Sequence, residues 1–151
     1  GTPIAASSEV HWNRTKEYYD VSWRGTWEGE GGGVILSHAI HLHDLLSFIF
    51  GDIKSVSANL ATLVNNIETE DSASITMTTE SKALISSSIT LGAANNTSRL
   101  KFIFSNVTAE SGDNPYAPGE GKWIFTSRDP AKQNELNEII NLYQNHIIRE
   151  K

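Results

Sequence analysis

The sequence predicts an α+β domain, an open and mainly antiparallel sheet with helices packed on one face. Three observations carry that reading. Between Ile53 and Phe104, short β-branched runs recur at roughly ten-residue spacing with tight breaks. Helical patterns flank them, one after Gly33 and one after Asp129. The 151 residues suit a single domain, and a 38% hydrophobic share supplies a core and excludes a disordered chain.

In chain order, residues 4–12 read as a strand of small residues. Residues 13–31 are polar and aromatic with Gly25, Gly29 and Gly31 breaking any period, which makes a long structured loop. From Val34 to Phe50 apolar residues recur at spacings of three and four, a helix that Gly51 ends. Four strands follow, Ile53 to Val64, Ser72 to Thr79, Ala83 to Leu91 and Ser98 to Phe104, expected to pair as antiparallel neighbours through hairpins. The many Ser and Thr on one side predict a sheet with one packed face and one that is wet or engaged elsewhere. Pro115, Pro118 and their glycines make 112–121 a loop, and Lys122 to Thr126 a short edge strand. Asp129 as N-cap and Pro130 at the first helical position open a last helix, striped by Leu136, Ile139, Ile140, Tyr143 and Ile147.

Composition excludes several functions. A formal charge of −6 lacks the basic footprint that phosphate neutralisation needs, so neither nucleic acid nor an anionic membrane is an expected partner. The absence of cysteine removes disulfides, thiolate nucleophiles and thiolate-bound metals. The longest apolar stretch, Leu45 to Phe50, is far short of the ~20 residues of a spanning helix. No basic segment followed by an apolar one opens the chain, so no signal peptide is read, and the sequons at Asn13, Asn95, Asn96 and Asn106 are taken as chance. The expectation is a cytoplasmic domain cut from something longer, since Met is missing at the start and no stop residue closes the last helix.

The densest polar cluster is Ser37-His38-Ala39-Ile40-His41-Leu42-His43-Asp44. At ~100° per residue, His38, His41 and Asp44 share an arc of about 120°, while His43 points away. Three readings stay open: a divalent-metal site, an acid–base pair with His41 as base and Asp44 as its orienter, and ordinary helix surface. A second cluster, Tyr18 to Trp27, sets Arg24 between Trp23 and Trp27. Such aromatic faces stack on a sugar's C–H surface, and a guanidinium meets its oxygens; buried loop anchors are the plainer alternative. The glycines of Gly29 to Gly33 match neither phosphate-loop spacing, and Glu68 to Asp71 reads as a solvated hairpin end.

Tyr18-Tyr19, Trp23-Arg24-Gly25-Thr26-Trp27, Gly31-Gly32-Gly33-Val34, His41-x-x-Asp44-Leu45-Leu46 and Glu68-x-Glu70-Asp71 together resemble the substrate domain of the Gfo/Idh/MocA oxidoreductases over most of residues 1–110. The resemblance implies a two-domain parent whose N-terminal Rossmann domain, absent here, binds NAD or NADP. It also implies that this domain supplies substrate contacts and often the subunit interface, giving a homo-oligomer through the sheet. By the same resemblance His41 is the catalytic acid–base. Tyr19, Trp23 and Arg24 line the sugar or polyol substrate, with His38 in the pocket and Ser37 and Asp44 in support. Ser37 stands where the family often has Asp or Asn, which departs from a carboxylate-assisted relay. The family's Glu-Lys-Pro segment is missing, so its catalytic Lys has no counterpart and this chain by itself is expected to be inactive. The rival readings are a metal-dependent enzyme on His38, His41 and Asp44, and a non-catalytic assembly module.

Overall fold

A computed structural model describes residues 1–149. One seven-stranded sheet runs in the order β2-β3-β4-β1-β5-β6-β7. Its strands are β1 (Pro3–Asn13), β2 (Ile53–Ala61), β3 (Ser72–Thr79), β4 (Leu84–Thr90), β5 (Gly92–Phe104), β6 (Val107–Glu110) and β7 (Ile124–Ser127). Every pairing is antiparallel except that of β1 with β4. The fold is α+β with an open, mainly antiparallel sheet, as the strand pattern predicts.

The pairing differs from the expected run of hairpins at one place. β1 lies between β4 and β5, so the chain leaves β4 at Thr90 and returns as β5 on the far side of β1. No local pattern reports such an insertion, because β1 is contributed from eighty residues upstream, as the contact Ser8 to Ser87 shows. β5 also begins at Gly92, where the glycine and asparagines predict a break; Asn13 pairs with Gly92, and the Asn96 side chain accepts the Asn13 amide. β6 has no counterpart among the expected strands, being only four residues long. β2 stops at Ala61 rather than Val64, because the Asp71 carboxylate captures the amides of Leu63, Val64 and Asn65 at 2.8–2.9 Å and turns the chain out of the sheet.

The sheet's inner face carries Ala6, Val10 and Trp12 of β1, Ile75 and Met77 of β3, Ile85 and Ile89 of β4, and Leu100 and Phe102 of β5, all buried. Helix α2 (Ile40–Phe50) lies against this core, sinking Leu42, Leu46 and Phe50 into it. Full burial of one such side chain is worth ~1.5–3 kcal/mol. The helical run from Trp27 to Phe50 is long and apolar enough by composition to cross a membrane, and its Val34, Ala39, Leu42, Leu46 and Phe50 are buried in the core. Gly51 ends it with φ of 87°, its amide closing on Ser47. The last helix, α3 (Gln133–Arg149), follows a 3-10 turn at Pro130–Lys132 and packs beside β7. Asp129 caps the turn as expected, its carboxylate accepting the Ala131 amide at 3.0 Å. Ile147 of the expected stripe lies outside the described side chains.

Candidate active site

The segment between β1 and α2 is a series of short turns rather than open loop. Lys16–Tyr19 forms a 3-10 turn, α1 (Trp27–Glu30) a single helical turn, and Ile35–Ala39 a π-helical turn that leads directly into α2. Thr26 caps α1, accepting the Gly29 amide at 3.0 Å.

Two carboxylates of the acidic run hold these turns in place and a third orders residues 63–65, which corrects the solvated-hairpin reading. Glu68 accepts the Trp27 amide at 3.1 Å. Glu70 accepts the Gly33 amide with both oxygens at 3.1 Å and the Ile35 amide at 3.3 Å, while its carbonyl takes Val34. Asp71, fully buried, organises residues 63–65. Burial alone would raise the Asp71 carboxyl, but the amides of Leu63, Asn65 and Val64 and the Ser72 hydroxyl outweigh it and hold it below its ordinary value. Gly33 is required by close approach: a Cβ there would stand 2.0 Å from the Glu70 carbonyl oxygen.

The π turn redirects the histidines. Ser37 donates its hydroxyl to the Gly33 carbonyl at 2.8 Å and lies 2.8 Å from His38 Nδ1. With that hydroxyl proton spent, His38 Nδ1 is the donor and Nε2 keeps a bare lone pair. The His38 ring sits edge-on to Trp12 at 5.0 Å and near Tyr18 at 6.2 Å. Burial, with Arg14 and Arg24 adding their charges, lowers it to about 4, so it is neutral. His41, one turn further on, is exposed and has no hydrogen-bond partner among the described residues; Asp44 is exposed as well. His43 turns inward, its Nε2 3.0 Å from Ser87 Oγ, which takes the Ser8 hydroxyl at 2.8 Å; burial lowers its pKa too. This histidine ties the helix to the sheet.

The metal triad of the rival reading does not assemble. Among the described residues no three His, Asp or Glu side chains converge on a cation, because the π turn breaks the 100° step and sends His38 inward while His41 and Asp44 stay outside. Nor does Asp44 hydrogen-bond His41; its recorded bond is a carbonyl accepting Ser47 Oγ at 2.9 Å.

The aromatic loop gathers beside His38. Tyr19 is half-buried, in edge contact with Tyr18 at 5.0 Å, and burial, with Tyr18, Glu30 and Asp71 nearby, raises its phenol to about 12, so it keeps its proton. Trp23 is exposed, and the Arg24 guanidinium lies 4.0 Å from the Tyr18 ring centre and 5.2 Å from that of Trp23. Trp27 is exposed and stands apart from this stack. Arg14, Trp12 and Tyr116 belong to the cluster and were not foreseen. Arg14 lies 4.6 Å from the Trp12 ring and 4.8 Å from that of Tyr18, and Tyr116 meets Trp12 at 4.8 Å. The alternation of β1 held the signal for Arg14, since it shares parity with inward-facing Val10 and Trp12. The Nε atoms of both arginines are buried without a partner, which costs ~1–3 kcal/mol per donor in a closed site.

The described residues form an α+β sheet domain in which a histidine-bearing helix follows a turn whose His38 lies among arginines stacked on aromatic rings. The model of the GFO/IDH/MocA C-terminal domain matches residues 1–110, and the chain belongs to that family of oxidoreductases. WlbA dehydrogenase from Chromobacterium violaceum, solved with NADH and UDP-GlcNAcA, is 30% identical with a TM-score of 0.75, over 99% of this chain and 45% of that one. WlbA from Bordetella pertussis, in complex with the same two ligands, is 27% identical at a TM-score of 0.75, over 96% of this chain and 46% of that one. Levoglucosan dehydrogenase with NADH, at 16% identity, shares the fold with a TM-score of 0.69 over 87% of this chain and 41% of its own. The chain thus spans less than half of each of these structures. No curated protein matches it in sequence.

Proposed function

We propose that the complete protein is an NAD(P)-dependent oxidoreductase that oxidises a secondary alcohol of a sugar, polyol or sugar derivative, or runs the reverse reduction. This chain is its substrate side, and a separate nucleotide domain completes it. The observation that carries the reading is the setting of His41: an exposed imidazole with no hydrogen-bond partner among the described residues, on the helix that follows a π turn whose entry is pinned by Glu70. The two WlbA relatives, which hold NADH and a nucleotide sugar, support it.

The chain's residues do not fit the phosphates of a dinucleotide. The amides of Gly33 and Ile35, at the helix entry where an anion would sit, are already taken by Glu70. The phosphates are therefore held by the other domain, and the choice of NAD or NADP is made there. What fits a nicotinamide is the outer face of α2 and its π turn, where Leu36 and Ile40 are exposed beside His41. When bound, the nicotinamide accepts or returns the hydride.

His41 takes the hydroxyl proton as the alcohol is oxidised and returns it in reduction, a contribution of ~10²–10⁴-fold. Ser37 does not serve His41, since its hydroxyl is committed to Gly33 and His38; it holds His38 in one tautomer. Arg24 and Trp23 orient the sugar, Tyr19 and His38 wall the pocket, and Asp44 keeps the helix face polar beyond His41. The subunits associate through the sheet's outer face. In the full-length protein, His41→Ala is expected to lower kcat by ~10²–10⁴ while NADH binding stays intact. Unchanged turnover would remove His41 from the chemistry.

A further inference from the structure

We propose that the hydrogen-bonded line of Ser8, Ser87 and His43 is the positioning device of the site: it sets the rotation of α2 on the sheet, and so the place at which the His41 ring stands. These three are positioning residues, acting through His41 without touching what it acts on. The inference rests on the oxidoreductase reading of His41.

Ser8 of β1 and Ser87 of β4 stand directly opposite each other across the parallel pairing of the sheet. Both are buried, at 2% and 3% exposure, on an inner face that Ala6, Val10, Ile85 and Ile89 of the same two strands otherwise fill. Hydroxyls in such a place cost free energy unless they are bonded. The Ser8 hydroxyl donates to Ser87 Oγ at 2.8 Å, and Ser87 Oγ lies 3.0 Å from His43 Nε2. Ser87 has no other acceptor among the described residues, so its proton goes to Nε2 and His43 carries its own on Nδ1. Each hydroxyl in the line then has an acceptor. Burial lowers the pKa of the ring, which favours the neutral form whose Nε2 can accept.

The bond from His43 to Ser87 is the sole hydrogen bond that joins α2 to the sheet among the described residues. The rest of the helix's seat is the apolar contact of Leu42, Leu46 and Phe50, and apolar burial is non-directional. That contact holds the helix down and leaves its rotation about its own axis loosely set. A hydrogen bond weakens steeply as its angle closes, so the bond to a buried serine fixes the rotation. His41, two residues earlier, lies about 200° round the helix from His43, on the exposed side. Its ring stands about 5–6 Å from the helix axis, so a turn of about 10° displaces it by about 1 Å. A misplacement of about 1 Å is enough to cost about 100-fold in rate. Glu70 fixes where the helical run begins, and the serine line fixes how it is turned.

The test uses the full-length protein. Nitrogen-15 NMR of the wild type is expected to show the neutral His43 ring protonated at Nδ1, a measurement that needs no variant; a ring protonated at Nε2 overturns the line. Turnover is followed by NADH absorbance on whichever of glucose, myo-inositol and UDP-glucose the wild type oxidises. Ser87→Ala and His43→Leu are each expected to lower kcat about 10- to 100-fold, with KM and NADH affinity little changed. His43→Gln, whose amide oxygen reaches a similar point and accepts the same proton, should recover most of kcat. Combining His43→Leu with Ser87→Ala should be no slower than the worse single change, since both break one line. Wild-type kcat in a folded Ser87→Ala protein, or His43→Gln as slow as His43→Leu, overturns the proposal. Unchanged turnover in His41→Ala removes the reading on which the proposal rests, whatever the His43 tautomer. A slow His41→Ala beside an Nε2-protonated His43 overturns the serine line and leaves that reading standing.

Discussion

His38 shows how far one side chain's behaviour depends on its neighbours. A free imidazole titrates near 6.5, and here burial plus two guanidiniums bring it to about 4. The unfolded chain therefore takes up this proton first as pH falls. The stabilisation from keeping His38 neutral is present above about pH 6.5 and is lost between there and about pH 4. His43, lowered by burial, acts in the same direction. An NMR titration is expected to show the His38 ring half-protonated near pH 4, with urea unfolding midpoints declining from pH 7 to pH 4. A His38 midpoint of 6.5 would mean that the ring is open to water and far from both arginines.

At the level of elements, the helix entry is the structural decision that places His41. Glu70 supplies from across the fold what an N-cap side chain normally supplies locally, two amide bonds at a helix start. Glu70→Ala is expected to cost ~1–3 kcal/mol in chemical denaturation, because those amides lose an ionised acceptor. Gly33→Ala should be at least as damaging, since its Cβ meets the Glu70 carbonyl at 2.0 Å and backbone must move. In the complete enzyme both changes should lower turnover by shifting His41. Wild-type stability in both variants would show that the π turn stands without the clamp.

Across the whole molecule, α2 packs on the inner face of the sheet and the outer face carries a line of hydroxyls. One row crosses it as Ser57, Thr76, Ser86, Ser7, Lys101 and Glu110, with the only charges at the β5–β6 end. Small hydroxyls let another layer approach closely, which suits the proposed association of subunits through this face. If subunits associate as proposed, Ser86→Arg, at the centre of the row, is expected to lower the mass in light scattering to that of a monomer with the circular dichroism spectrum unchanged. An unchanged mass would move the interface elsewhere.

Much was legible in the sequence because it depends on near neighbours in the chain. Alternation delimited β1 and β3, the three-and-four spacing located the helix ending at Gly51, and Asp129-Pro130 marked the last one. Motif order was enough for the family, since it needs only residue types at fixed intervals. Tertiary structure alone decided the rest. The insertion of β1 beside β4, the clamp of Glu70 on Gly33 and the stacking of both Arg14 and Arg24 on Tyr18 all join residues far apart or off-register. Hydrophobic periodicity reports which side of an element is buried and is silent on what it is buried against. A 100° helical step cannot foresee a π turn, so the sequence put His38 and His41 on one face that the folded backbone separates.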